Sequence, residues 1–257
     1  VSELKLLLKE AGEILKEGFY GKFDTNYKGK ADLVTTYDVK IEQFLIPRLQ
    51  KMYPNDQIIG EESFKNEVFP ESGIFVDPID GTTNFVHHLP YVGISVGVWR
   101  NNEPVEAGVY NPILDEMYYA KKGMGAFLND LPLQVSHTTK LQNALLATGF
   151  PYTKNSSKED LGFVLNSLSN LLPKIRDIRR YGAASLDLCM VARGIFDGFY
   201  EINLKPWDVA AGILILKEAN GKISTHDGLK YSMNKRTIVA SNNKIHKELI
   251  ENIDFES

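Results

Sequence analysis

Apolar residues recur along this chain in two periods, and the changes from one to the other mark its elements. Between Glu3 and about Gly18, LKLLLKEAGEILKEG sets leucines and isoleucine at helical spacing with lysines and glutamates between them, the pattern of an amphipathic packing helix. A polar, lysine-rich stretch, YKGKADLVTTYD, leads to a second helical run, VKIEQFLIPRLQKMYP, with Asp38 at its start and Pro54 closing it. The period then shortens. Ile58-Ile59 before Gly60 and Ile74-Phe75-Val76 after Gly73 read as short buried strands. From about Tyr91 to Leu128, the runs YVGISVGVWR, EPVEAGVYNP, EMYYAKKG and GAFLND are separated by Asn-Asn, Asn-Pro and Gly signals and predict a β-meander. Beyond Ala144, ALLATGFPY and IRDIRRYG predict strands, with some helix around Leu161 to Leu172. AASLDLCMVARG predicts a helix stopped by Gly194, FDGFYEI a strand, and KPWDVAAGILILKEANG an apolar helix opened by Asp208. GKIST reads as a Gly-rich turn, TIVASN as the last strand, and a short helix starts near Lys244. The succession divides the chain into an N-terminal α+β half, residues 1–140, and a C-terminal α/β half, residues 141–257.

Composition narrows the classes. Apolar residues make up 43% of the 257 and charged residues 24%, the mixture of an ordinary globular protein. A net charge of -4 supplies no general pull toward nucleic acid or anionic membrane, so direct nucleic-acid binding is not expected. The single cysteine, Cys189, excludes an intramolecular disulfide and a cysteine-based zinc cluster. Its apolar setting, LDLCMVA, marks a buried structural thiol. No secretory signal or long apolar span stands out, which makes the cytoplasm the expected compartment.

The chemistry concentrates in GIFVDPIDGTTNF. A buried strand ends by presenting Asp77 and Asp80, three residues apart, around Pro78, which removes a backbone donor and forces a turn. Gly81 lets backbone approach a ligand, and Thr82 or Thr83 is placed to cap a following helix. Carboxylate oxygens suit Mg²⁺, and the free N–H groups of a helix start suit phosphate. Further acids stand at Asp38, Glu61, Glu62 and Asp208. Each has a plainer reading: an exposed first-turn acid, two solvated loop glutamates, an ordinary helix cap. Together they form a carboxylate set without histidine or cysteine, which favours Mg²⁺ or Mn²⁺ over zinc. With two such ions about 3.5–4 Å apart, the expected chemistry is in-line attack of an activated water on phosphorus.

GEES, DPIDGTTNF and WDVAAG, with DLVT-x-x-D and RRYGAAS, resemble the inositol monophosphatase family, in the family's order and from about Lys28 to Gly221. The resemblance implies a layered αβαβα sandwich, an α+β fold of the inositol monophosphatase and fructose-1,6-bisphosphatase type, and a lithium-sensitive, Mg²⁺-dependent phosphatase, commonly a homodimer. It implies a first metal held by Glu61, Asp77 and the carbonyl of Ile79, and a second held by Asp77, Asp80 and Asp208. A third, weaker ion would sit near Glu61. It pairs Thr82 with Asp38 to activate water, and puts Glu62 behind the ligands. Gly81 and Thr82 would bind phosphate through their N–H groups. Glu201, the backbone of Ala184, and Asp80 would meet substrate hydroxyls, with Asp208 at the same place, and Lys28 matches a flexible-loop lysine. Arg179 and Arg180 would touch substrate across a dimer or make structural ion pairs.

The function this favours is hydrolysis of inositol 1-phosphate. The same chemistry on fructose 1,6-bisphosphate, a nucleotide 3'-phosphate or NADP is the alternative. From a different class, some bacterial relatives associate with the transcription machinery, so a role as an RNA-processing accessory protein stands beside the enzyme.

Overall fold

The computed structural model describes residues 2–21, 25–27, 33–66, 68–151 and 157–254. In chain order its elements are α1 (Glu3–Tyr20), β1 (Thr25–Tyr27), β2 (Leu33–Thr35), α2 (Thr36–Met52), β3 (Ile58–Gly60), β4 (Gly73–Asp80) and α3 (Thr82–Val86). The meander follows as β5 (Gly93–Arg100), β6 (Glu103–Asn111), β7 (Glu116–Lys121), β8 (Ala126–Leu128) and β9 (Leu131–Pro132). The remainder comprises β10 (Leu145–Thr148), α4 (Lys158–Leu171), β11 (Asp177–Arg179), α5 (Ala184–Ala192), β12 (Gly198–Ile202), α6 (Pro206–Glu218), β13 (Lys222–Ser224), β14 (Thr237–Ser241) and α7 (His246–Ile250).

Two sheets organise these elements. The larger has the order β3-β4-β5-β6-β7-β8-β9, with β3 parallel to β4 and the rest antiparallel. The smaller runs β11-β10-β12-β14-β13, parallel across β11, β10 and β12 and antiparallel at β14. Period-2 alternation gives the larger sheet two apolar faces. Ile74, Val76, Val96 and Val98 pack under Leu4, Leu8 and Leu15 of α1 and Ile41 and Leu45 of α2. Phe75, Ala107, Val109 and Tyr118 face Leu186 and Leu188 of α5 and Val209 and Ile213 of α6. Those two helices also meet the smaller sheet, whose far face carries Phe163 and Val164 of α4 and Leu249 of α7. The order is therefore helices, sheet, helices, sheet, helices, which is the expected five-layer α/β sandwich.

The α5–α6 layer is apolar all round because it is covered from both sides. Residues Pro206 to Leu216 are all buried. Gly97 lets α6 lie directly on the sheet, since a Cβ there would stand 2.7 Å from the Ala210 carbonyl carbon. Trp99 Nε1 donates to the Ala210 carbonyl at 3.0 Å.

Two local expectations fail. GKIST is not merely a turn, because Lys222–Ser224 pairs with β14 as an edge strand, three residues being too few to show alternation in the sequence. The helix after Asp80 is only five residues long, and Gly81, in the left-handed region at φ 89°, is its N-cap with no side-chain cap bond. Thr82 lies inside the helix and its hydroxyl points elsewhere.

Candidate active site

In a regular strand, residues three apart point to opposite faces. The β4–β5 register shifts between Asp77 and Asp80, and this irregularity re-aims the strand end. Ile79 N–H donates to Asp77 Oδ1 at 3.0 Å, an Asx turn made possible where Pro78 interrupts the ladder. Asp80 then lines the cleft and Asp77 lies behind it, both buried, at 7% and 2% exposure.

Asp80 sits at the N-terminus of α5. Its Oδ2 accepts from Ser185 N–H at 2.8 Å and from Ser185 Oγ at 2.5 Å, and the Ala184 and Leu186 amides are also directed at it. The Ala184 N–H expected to meet a substrate hydroxyl is thus already engaged, and a hydroxyl would share it. Asp208 lies in the first turn of α6, where its Oδ2 accepts from Lys205 N–H at 2.7 Å. Its 8% exposure separates it from an ordinary solvated cap. Glu61 follows β3, half-buried, its N–H donating to the Val76 carbonyl at 3.1 Å.

Neighbouring carboxylates raise the proton affinity of Asp77 and Asp208. Burial, then Glu61, Asp80 and Asp208, hold Asp77 well above the usual carboxylate range. Asp208 is pushed up by burial and then by Glu61 and Asp80. Asp80 is raised from 3.8 only to about 6, because the α5 amides and Ser185 offset part of its burial. Glu201, at the end of β12, is raised by burial, then by Asp187 and Asp208, with Arg180 opposing.

Asp38 is fully buried, not an exposed first-turn acid. Thr35 caps α2 by accepting from Tyr37 N–H at 3.1 Å, and Asp38 Oδ2 accepts in return from Thr35 N–H at 2.7 Å and Thr35 Oγ1 at 2.5 Å. Asp38 Oδ1 faces Thr82 Oγ1 at 3.1 Å, a hydroxyl equally close to the Ile79 carbonyl. With one proton to donate, Thr82 can give it to either oxygen and still accept from a water.

The cleft wall adds Gly81, Phe150, Arg180, Ala184, Glu201 and Leu204. The Arg180 guanidinium lies over the Phe150 ring, 5.1 Å from its centroid. Of the expected residues, Asp80, Gly81, Thr82, Ala184, Glu201 and Asp208 line one cleft. Asp77 and Glu61 share a hydrogen bond and adjoin it through their electrostatic coupling to Asp208, and Asp38 adjoins it through Thr82. Lys28 lies outside the described residues. Glu62 stands on the Glu61 turn, its N–H directed away at Glu42.

Ser185, Asn84 and Glu42 shape the cleft and were missed by the sequence reading. Asn84 Nδ2 joins two segments by donating to the Tyr91 and Tyr181 carbonyls, each at 2.8 Å. The one signal in the sequence is that Glu42 follows Asp38 by four residues and shares its helix face.

Among the described residues no three acidic, histidine or cysteine side chains already stand in a ligating cluster, and Asp77 instead shares a hydrogen bond with Glu61. The chemistry of the set nevertheless fits a hard divalent cation. All donors are oxygens, and a cation relieves both the burial and the repulsion that the carboxylates carry without it.

A five-layer sandwich with buried carboxylates gathered at one cleft is the build of the inositol monophosphatase and fructose-1,6-bisphosphatase superfamily of phosphatases. The model of the inositol monophosphatase family matches residues 2–256. Over 239 residues the sequence is 41% identical to Inositol monophosphatase 3 of Solanum lycopersicum, covering 91% of this chain and 88% of the relative. It is 35% identical over 249 residues to the Fructose-1,6-bisphosphatase/inositol-1-monophosphatase of Aquifex aeolicus, covering 96% and 92%. The crystal structure of extragenic suppressor protein suhB from Bartonella henselae superposes with a TM-score of 0.89 at 35% identity, covering 98% and 96%. The chain belongs to the inositol monophosphatase family, and with that membership comes the family's divalent-metal-dependent phosphomonoesterase activity. No helix among the described residues is long and apolar enough to cross a membrane.

Proposed function

We propose that this enzyme is a Mg²⁺-dependent phosphatase that releases phosphate from inositol 1-phosphate. The observation that carries the reading is the cleft lined by buried Asp80, Asp208 and Glu201, with buried Asp77 adjoining it, Glu201 being a carboxylate able to accept from a polyol hydroxyl. Glu61, Asp77 and the Ile79 carbonyl would hold one ion and Asp77, Asp80 and Asp208 another, with a third, weaker ion near Glu61 and Mn²⁺ able to substitute. Bound there, the ions supply charge neutralisation to the phosphate and acidify water.

The chain's own residues do the rest. Gly81 and Thr82 offer N–H groups to the phosphate oxygens at the turn into α3. Thr82 Oγ1 orients the attacking water by accepting from it and passes its own proton toward Asp38, 3.1 Å away. Asp38 is fixed for this by Thr35, so the proton acceptor needs no reorganisation. Glu201 and Asp80 accept ring hydroxyls, and Glu62 supports Glu61 from behind. The active form is a homodimer, inhibited by lithium.

Phosphate release should be measured on inositol 1-phosphate, fructose 1,6-bisphosphate, a nucleotide 3'-phosphate and NADP, with Mg²⁺, with and without Li⁺, and with Asp77→Asn as control. Fastest turnover on inositol 1-phosphate supports the reading, and a preference for another member of the panel replaces the substrate. Fructose 1,6-bisphosphate is the second reading. Arg180, at the cleft wall, offers a cation for a second phosphate, and the Aquifex aeolicus relative carries both names. Arg180→Ala should then weaken KM for the bisphosphate about tenfold and leave inositol 1-phosphate nearly unchanged.

A further inference from the structure

We propose that Glu42 is a positioning residue, whose buried carboxylate fixes the Gly60–Glu62 turn and thereby holds Glu61 ready for the divalent cation. The inference rests on Glu61 as a metal ligand and is independent of which phosphomonoester is hydrolysed.

Helix α2 presents two buried carboxylates four residues apart on one face, Asp38 at 0% and Glu42 at 3% exposure. The first turns to Thr35 and Thr82. The second crosses to the turn after β3, where Glu42 Oε2 accepts from the Glu62 N–H at 2.8 Å. The carboxylate also lies flat against Gly60. A Cβ built on that glycine would stand 2.4 Å from Oε2, 2.5 Å from Cδ and 2.8 Å from Oε1. Gly60 therefore leaves open the space that the Glu42 carboxylate fills.

The consequence falls on the residue between. The Glu61 N–H is tied to the Val76 carbonyl of β4 at 3.1 Å, and the Phe64 N–H closes the turn on the Gly60 carbonyl at 2.9 Å. With the Glu62 N–H tied to α2, two consecutive amides are clamped by two different elements, and the Glu61 side chain leaves this clamp beside Asp77. Burying a carboxylate costs free energy that an apolar side chain at this position would not incur. A group that only filled space here would be leucine or methionine. A carboxylate is kept because it accepts a backbone hydrogen bond at the base of a ligand turn, the arrangement by which outer partners orient metal ligands.

The test compares Glu42→Ala, which removes the acceptor, with Glu42→Gln, which keeps a carbonyl oxygen in its place. Mn²⁺ binding to the full chain without substrate is followed by the loss of the free-ion paramagnetic signal, and turnover is titrated with Mg²⁺. Glu42→Ala should weaken metal binding and raise the half-saturating Mg²⁺ about 10- to 100-fold, with kcat at saturating Mg²⁺ within about threefold of the parent. Glu42→Gln should restore metal binding to within about threefold. Parental Mn²⁺ binding by the alanine variant, or a glutamine variant as weak as the alanine one, overturns the proposal. Should the alanine variant not fold, hydrogen exchange in the parent protein decides. The Glu62 amide should exchange slowly, and exchange at the rate of an unprotected loop overturns the proposal.

Discussion

Two places in this molecule bury acids and other titratable groups, and they treat them in opposite ways. At the far end of the smaller sheet, Asp197 accepts from Ser136 Oγ at 2.5 Å and Leu145 N–H at 2.7 Å, so neutral donors satisfy it. Nearby His246 is held between Ser224 Oγ at 2.9 Å and Ser241 Oγ at 2.8 Å. In the cleft, Asp77, Glu61, Asp80 and Asp208 face one another, and burial and repulsion add. Burial of an acid is thus no mark of function by itself. What separates the regions is whether a buried acid meets only neutral donors or, like Asp77 and Asp208, is also pressed by other carboxylates. Asp187 stands between them, with Tyr91 donating to Oδ1 at 2.8 Å and Oδ2 without a partner among the described residues.

The sharpest way to break this contrast is to remove charge from each region. Asp77→Asn should lower kcat/KM by about 10³-fold or more, since several kcal/mol of transition-state stabilisation go with the ion. The metal-free variant should unfold no lower than the parent, a repulsion having been relieved. A clear drop in its thermal midpoint would sink the idea that the cleft is strained without metal. Asp197→Ala should behave the other way, losing about 1–3 kcal/mol in denaturant unfolding because two part-buried donors lose their acceptor, while folded protein keeps its turnover. Loss of turnover at unchanged stability would move Asp197 into the working region.

The pH dependence sharpens the same contrast. Asp80 is raised from 3.8 to about 6, so the native state holds the proton more tightly. Its contribution is complete below about pH 4 and is lost as pH rises toward 6. His246 is depressed from 6.5 to about 4, chiefly by burial, so its contribution is present above pH 6.5 and lost as pH falls toward 4. Thermal midpoints measured from pH 4 to 7 in EDTA should show opposing slopes, and saturating Mg²⁺ should remove the carboxylate part. Identical profiles with and without Mg²⁺ would contradict this. The smallest effect belongs to Tyr91→Phe, which takes away the hydroxyl that donates to Asp187 Oδ1 and should cost about 1 kcal/mol, read as a small fall in the urea midpoint.

Where a feature was local, the sequence displayed it. The strand before Asp77, the break at Pro78 and the apolar helix behind Asp208 each follow from neighbours within a few positions. What stayed hidden depended on distance along the chain. Ser185 meets Asp80 across 105 positions, and Glu42 meets Glu62 across 20. In the sequence Glu42 is one more acid on an amphipathic helix. Strand β13 was equally hidden, because three residues become a strand only when β14 lies beside them. Thr82 looked like a helix cap because its hydroxyl fits that role. The left-handed Gly81 took the cap and turned Thr82 to Asp38.

Helix α6 does more than deliver Asp208. It lies on the larger sheet at the contact distance Gly97 permits, bonded through Trp99, and touches the smaller sheet as well. A two-jaw closure over substrate would have to peel this helix from one sheet or the other, exposing a segment buried from Pro206 to Leu216. Among the described residues, α6 therefore ties the two sheets together at the waist.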